Sequence, residues 1–227
     1  METKVTRKLI LDTETSGLDF EKDRIIEIAC LELVDNIFTG KKYHQYFNPE
    51  NINISPESEN IHGLNNEFLR EFNSFDHEIE KFINFMDDSI LVIHNAQFDI
   101  SMINNSLKRC GKEVIKDSQT ICTLELAKKK FPGSKNNLNA LCRRFGISLE
   151  EREKHSAITD CFLLLQVYNE LLGGKQRNLK FNSLDKRNRV TKGMNFNDEN
   201  FTKIELSEED KAKHSEMLKL LPNNLWQ

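Results

Sequence analysis

The stretch LILDTETSGL, residues 9–18, decides the reading of this chain. Leu9, Ile10 and Leu11 form a short apolar run of the kind that makes a buried strand, and two acids, Asp12 and Glu14, follow one residue apart. Side chains alternate along a strand, so positions i and i+2 point to the same side. Asp12 and Glu14 therefore aim at one point in space. Two carboxylates held that close repel each other unless a proton or a cation lies between them. An oxygen-only donor pair of this kind suits Mg²⁺ or Mn²⁺. An isolated D-x-E also fits a strand that runs into a solvated acidic turn, so the pair needs companions elsewhere in the chain.

Three are present. HNAQFD, residues 94–99, follows the apolar run 90–93, and its Asp99 opens a helical pattern through Phe98, Met102, Ile103 and Leu107. His155 and Asp160 lie in KHSAITDCFLLLQVYNELL, where Ala157, Cys161, Leu164, Leu165, Tyr168, Leu171 and Leu172 recur at helical spacing. Residues five apart lie about 140° around a helix. His155 is therefore expected in the loop before the helix, with Ser156 as its cap, swinging over the site that Asp160 faces from the first turn.

In this order the four segments resemble the exonuclease family named for four acids and a histidine, the DEDDh type. The resemblance covers residues 8–174, and the phrases LDTETSGL, RIIEIACLELV, FPG and LNALCRRF resemble its proofreading branch. It implies a ribonuclease-H-like fold, with the acids Asp12, Glu14, Asp99 and Asp160 and the histidine His155 at the site. It implies two divalent ions, Mg²⁺ or Mn²⁺, with Asp12 bridging them and the other three acids completing their shells. Two such ions activate the attacking water and stabilise the leaving oxygen of a phosphodiester. A histidine with its ordinary near-neutral pKa can take the proton. The resemblance further implies that Thr15, Leu18, Glu57, His62 and Phe98 contact the terminal nucleotide, Leu18 as a wedge against the base. A turn acid, a capping histidine and a core phenylalanine are the alternatives for Glu57, His62 and Phe98. His94 and Asn95 are expected to shape the turn that presents Asp99, and His44, His77 and His214 to be surface residues.

Composition agrees with an α/β domain carrying an appendage: 227 residues, 38% hydrophobic. No stretch approaches the ~20 apolar residues of a membrane helix, and the first residues lack a signal-peptide core. Five scattered cysteines without a C-x-x-C pair read as buried free thiols in a reducing cytoplasm. Tight autonomous nucleic-acid binders usually carry a basic face, since phosphate neutralisation supplies most of their affinity; with a net charge of −4 this chain is expected to hold its substrate weakly and locally. A partner that grips DNA would supply the rest.

Strands are expected at 8–12, 24–34 and 42–47 as an antiparallel meander, then at 90–93. Helices are expected at 76–86, 98–110, 138–145 and 157–172, with a strand-to-helix passage within 120–126. The result is a mixed sheet flanked by helices. Gly173 and Gly174 end the last helix. Residues 1–174 thus form the exonuclease domain. Residues 175–200 read as a flexible basic linker, with seven basic residues against one acid between 175 and 192. At its start QRNLKF offers Gln176, Leu179 and Phe181 in the Q-x-x-L-x-F pattern of sliding-clamp ligands. Residues 201–227 are expected to form a short helix from 207 to 221 capped by Ser207, with Trp226 near the end, a cluster that marks a partner surface; the resemblance implies that this tail docks on the catalytic subunit of a replicative polymerase. The expected activity is removal of nucleotides from a DNA 3′ end. A ribonuclease of the same family shares the five core residues, and an inactive clamp–polymerase scaffold shares the tail.

Overall fold

A computed structural model describes residues 6–150, 152, 154–174 and 207–219. The clamp motif with Gln176, Leu179 and Phe181, the rest of the basic linker and Trp226 lie outside the described residues. The chain divides into two units, described separately.

The larger unit is built on strands β1 (Arg7–Thr15), β2 (Ile25–Val34), β3 (Ile37–Tyr46), β4 (Ile90–Ile93) and β5 (Thr120–Cys122). They form one sheet in the order β3-β2-β1-β4-β5. The first three make the expected antiparallel meander, whereas β4 runs parallel to β1 and β5 parallel to β4. Seven helices accompany them: α1 (Pro56–His62), α2 (Asn66–Leu69), α3 (Phe75–Met86), α4 (Ala96–Arg109), α5 (Thr123–Lys130), α6 (Leu138–Phe145) and α7 (Ala157–Leu171).

Alternation along β1 feeds two cores. Leu9 and Leu11, with Ile28 and Cys30 of β2, pack under Phe75, Ile79 and Phe82 of α3 and Ile103 and Leu107 of α4. Ile10, with Ala29, Leu31 and Val92, packs under Leu141 of α6 and Ala157, Cys161, Leu164 and Val167 of α7. The sheet is thus sandwiched between helix layers, the ribonuclease-H-like arrangement. Cys161 donates its thiol to the Ala29 carbonyl at 3.2 Å, which seats α7 directly on the strands.

Several boundaries differ from the sequence expectation. β1 continues past residue 12 to Thr15, because Asp12, Thr13 and Glu14 pair with Ala29, Ile28 and Glu27 of β2. β3 begins at Ile37, five residues early. Asp35 and Asn36 both adopt positive φ (50° and 66°), which suits a two-residue hairpin, and the polar, lysine-bearing face of this edge strand concealed its start. The passage near residue 122 is a strand to Cys122, then a helix from Thr123. Ser156 occupies the N-cap position of α7 but makes no capping bond; its hydroxyl goes to Glu27 instead. All five cysteines are free, with Cys30, Cys142 and Cys161 buried.

The second unit contributes one described element, α8 (Glu208–Lys219), whose first turn is acidic. Ser207 caps it, its Oγ accepting the Asp210 amide at 3.2 Å. Among the described residues no helix is long and apolar enough to cross a membrane.

Candidate active site

The acids come from three layers and meet at the C-terminal ends of the central strands. Asp12 and Glu14 continue the face of Ile10, toward α7. Thr13 continues the face of Leu11, toward α4, where its hydroxyl donates to Oδ1 of Asp99 at 2.7 Å. Asn95, at the end of β4, adopts a left-handed conformation (φ 62°) that turns the chain straight into α4 and delivers Asp99 in its first turn. From the opposite layer, Asp160 projects from the first turn of α7, one residue before the Cys161 that seats the helix. Because β1 and β4 are parallel, both deliver their acids at their C-terminal ends, where α/β sheets place ligand sites.

His155 sits in the loop before α7, as the spacing requires. Its amide donates to the Ile61 carbonyl at 3.0 Å, tying this loop to α1, and its Nδ1 lies 3.5 Å from Oδ2 of Asp160. One donor atom each of Glu14, His155 and Asp160 falls within 4.8 Å of the others. Asp12, His94, Asn137, Leu138, Asn139, Arg152, His155 and Asp160 line a cleft of about 280 Å³.

The electrostatics are those of crowded carboxylates. Burial raises the Asp12 carboxyl well above its ordinary range, and the charges of Asp99, Asp160, Glu14 and Glu27 push it further. Burial, then Asp160, Glu27 and Asp99, raises Glu14 to about 8, with Arg152 opposing. Burial raises Asp99 to about 7 against the Thr13 hydrogen bond. Like charges this close call for a compensating cation. An all-carboxylate cluster with one histidine and no thiolate offers the hard oxygen donors that divalent ions of the Mg²⁺ type prefer. The residues present therefore fit such ions. His155 is shifted the other way: burial and the Arg152 charge lower its pKa, and Asp160 partly offsets them.

Asp12, Glu14, Asp99, Asp160 and His155 are thus brought together. The five candidate nucleotide contacts are more dispersed. Thr15 is buried, its hydroxyl donating to the Gly17 carbonyl at 2.6 Å. Leu18 is 79% exposed on the turn after β1. Glu57 is exposed in the first turn of α1. His62 is buried at the end of α1; its Nδ1 accepts the Leu64 amide at 3.0 Å, while its Nε2 lies buried without a well-formed hydrogen bond, beside the main chain of Thr15. Phe98 is half-buried against the α3–α4 core.

Four residues escaped the sequence reading in whole or part. Arg152 forks onto Asp160. Thr13 anchors Asp99. Glu27, directly across β2 from Glu14, accepts from Ser156 Oγ at 3.0 Å and from His44 Nε2 at 2.8 Å, so His44 is not the unpartnered surface residue expected. His94 does more than shape a turn: it lines the cleft, bonds Thr123 Oγ1 at 3.0 Å, and is held neutral by burial, its pKa lowered to about 4. A charged residue inside the largely apolar IIEIACLELV, which also holds Glu32, was the available signal for Glu27. Arg152 had none, since it sits in the run EEREK among other charges.

A mixed sheet between helix layers, with four acids and a histidine at the ends of its central strands, defines a nuclease of the divalent-metal-dependent exonuclease class. The family model described as Exonuclease matches residues 9–168. The DNA polymerase III subunit epsilon of Rickettsia felis is 41% identical over 219 residues, 93% of this chain and 95% of the relative. That of Salmonella typhimurium is 35% identical, over 77% of this chain and 75% of its own. The chain belongs to the exonuclease family and, within it, to the family of DNA polymerase III epsilon subunits; it is a 3′→5′ exonuclease. Among solved structures, exonuclease X in complex with 5′-overhanging duplex DNA superposes with a TM-score of 0.57 at 26% identity, over 74% of this chain and 90% of that one. Exonuclease I of E. coli in complex with single-stranded DNA shares the fold, with a TM-score of 0.63 at 17% identity over 75% of this chain and 41% of that one.

Proposed function

We propose that this chain proofreads for a replicative DNA polymerase in the cytoplasm, removing misinserted nucleotides from the DNA 3′ end as nucleoside 5′-monophosphates. The observation that carries the reading is the convergence of Asp12, Glu14 and Asp160 with His155 on one cleft, with Asp99 joined through Thr13. The names of the epsilon relatives support the polymerase partner.

Asp12, Glu14, Asp99 and Asp160 would hold two divalent ions, Mg²⁺ or Mn²⁺. When bound, such a pair activates water and neutralises charge on the leaving oxygen. His155 accepts the proton from the attacking water. Its lowered pKa keeps the ring neutral, the form a base requires, and at 44% side-chain exposure it remains open to solvent. Thr13 fixes the Asp99 carboxylate, and Glu27 fixes the loop bearing His155 through Ser156. Leu18, exposed on its turn, is the wedge against the terminal base, and Thr15, Glu57, His62 and Phe98 complete the pocket.

The net charge of −4 supports weak intrinsic DNA affinity, so residues 201–227 supply polymerase docking and QRNLKF supplies clamp docking. Tethering raises the frequency with which the nuclease meets a frayed primer end. The test compares matched and mismatched DNA primer ends with single-stranded RNA, using full-length protein with Mg²⁺ or Mn²⁺. It is paired with gel filtration of full-length and 1–200 proteins with the cognate polymerase subunit. Preference for the mismatched DNA end, and loss of co-elution on truncation, are expected. Preference for RNA, or full co-elution of the truncated chain, would overturn the corresponding part.

A further inference from the structure

Arg152 is the one basic side chain other than histidine lining the cleft among the described residues, and it is only 7% exposed. Its Nε donates to Oδ1 of Asp160 at 2.5 Å and its Nη2 to Oδ2 at 2.5 Å, a two-pronged fork that engages both carboxylate oxygens. The same Nη2 lies 3.0 Å from Nδ1 of His155, and Nη1 donates to Asn139 Oδ1. A guanidinium has no acceptor and keeps all its protons, so Nδ1 must be the acceptor of this contact. A neutral imidazole that accepts at Nδ1 carries its proton on Nε2. In this arrangement His155 has no free lone pair with which to act as a base, and Asp160 is already neutralised.

Resting on the proposed metal-dependent reading, we propose that Arg152 is an internal competitor of the divalent ions, holding Asp160 and His155 together in an inactive pairing until a cation displaces it. A dication at Asp160 repels the guanidinium and takes the carboxylate charge that held it. Once Arg152 withdraws, the 3.5 Å separation of Nδ1 and Oδ2 is open to an Nδ1–H hydrogen bond to Asp160. The ring then gives its Nε2 proton to solvent and takes one at Nδ1. Net charge is unchanged, and Nε2 becomes a free acceptor. Arg152 is thus a positioning residue that makes the base available only when the acids are loaded, which would guard a nuclease tethered to DNA against idle chemistry.

The test uses full-length protein, with Arg152→Gln and Arg152→Lys. Mn²⁺ binding is measured by calorimetry, thermal melting is measured in chelator, and the His155 tautomer is read by ¹⁵N chemical shifts in chelator and in Mg²⁺. Arg152→Gln is expected to melt lower in chelator yet bind Mn²⁺ roughly tenfold more tightly, a pair of opposite signs that a purely structural role does not produce. Arg152→Lys, which keeps the charge and loses the fork, should fall between; should the glutamine variant fail to fold, the lysine variant carries the test. His155 should pass from the Nε2–H to the Nδ1–H form on adding Mg²⁺. Mn²⁺ affinity in either variant no greater than in the parent, or one tautomer in both conditions, overturns the proposal. A parent protein that binds no Mn²⁺ overturns the metal reading itself.

Discussion

Ser156 donates its hydroxyl to Oε1 of Glu27 at 3.0 Å, tying the loop that carries His155 to the strand beside Glu14. Glu27 is 1% exposed and also receives His44 Nε2 at 2.8 Å, so a single buried carboxylate secures two contacts. Glu27→Ala should lower kcat by about tenfold to a hundredfold through misplacement of His155, with little change in KM, and cost roughly 1–3 kcal/mol for the partners left unpaired. Glu27→Gln keeps the acceptor and should restore most of the rate. Steady-state kinetics on a short single strand, with equal losses in both variants, would mean that the charge and not the tether matters.

Asp12 and Asp160 look alike in the sequence but should differ when removed. Either alanine variant abolishes hydrolysis. Asp12→Ala relieves a cluster of like charges and should raise the melting temperature in chelator. Asp160→Ala leaves the Arg152 guanidinium buried and unpaired, and should lower stability by about 3 kcal/mol. Calorimetric melting of the two variants decides the matter, and shifts of the same sign would refute it.

In chelator, stability should depend steeply on pH. Glu14 is raised to about 8 and Asp99 to about 7. A carboxyl raised on folding binds more protons folded than unfolded, so its contribution is full below the unfolded value of about 4 and is lost as pH climbs through the folded value. The melting temperature should therefore fall between pH 5 and pH 8 and be largely restored across that window by saturating Mg²⁺. A flat profile in chelator would contradict the crowded-carboxylate account.

His155→Ala should reduce kcat by roughly 10²–10⁴-fold and leave substrate binding nearly intact. The acid limb of the kcat profile should disappear with it. An unchanged pH profile would assign the base elsewhere.

For the QRNLKF segment, replacing Gln176, Leu179 and Phe181 together by alanine should weaken binding to the cognate sliding clamp and leave hydrolysis of a free oligonucleotide unchanged. Calorimetry with the purified clamp measures both partners directly. Equal affinities would make the motif a coincidence of spacing.

The sequence by itself determined the fold class, the antiparallel meander, the helix at Leu138–Phe145 and the candidate residues Glu14, His155 and Asp160 that the structure draws together. Each rests on a short-range rule: alternation places Asp12 with Glu14, and the helical period places Asp160 in the first turn of α7 with His155 ahead of it. Only the tertiary structure decided which charges face one another. Arg152 lies eight residues before Asp160 in a run of ordinary surface charges, and its fork forms because the fold brings it against Asp160 of α7 and Asn139 of α6 together. Glu27 meets Ser156 and His44 because β2 pairs with both β1 and β3. Thr13 reaches Asp99 because β1 and β4 are parallel neighbours, which sets the start of α4 beside the end of β1. Burial energy is read from local periodicity, but the partner of a buried charge depends on elements brought together across the chain, and no local pattern encodes it.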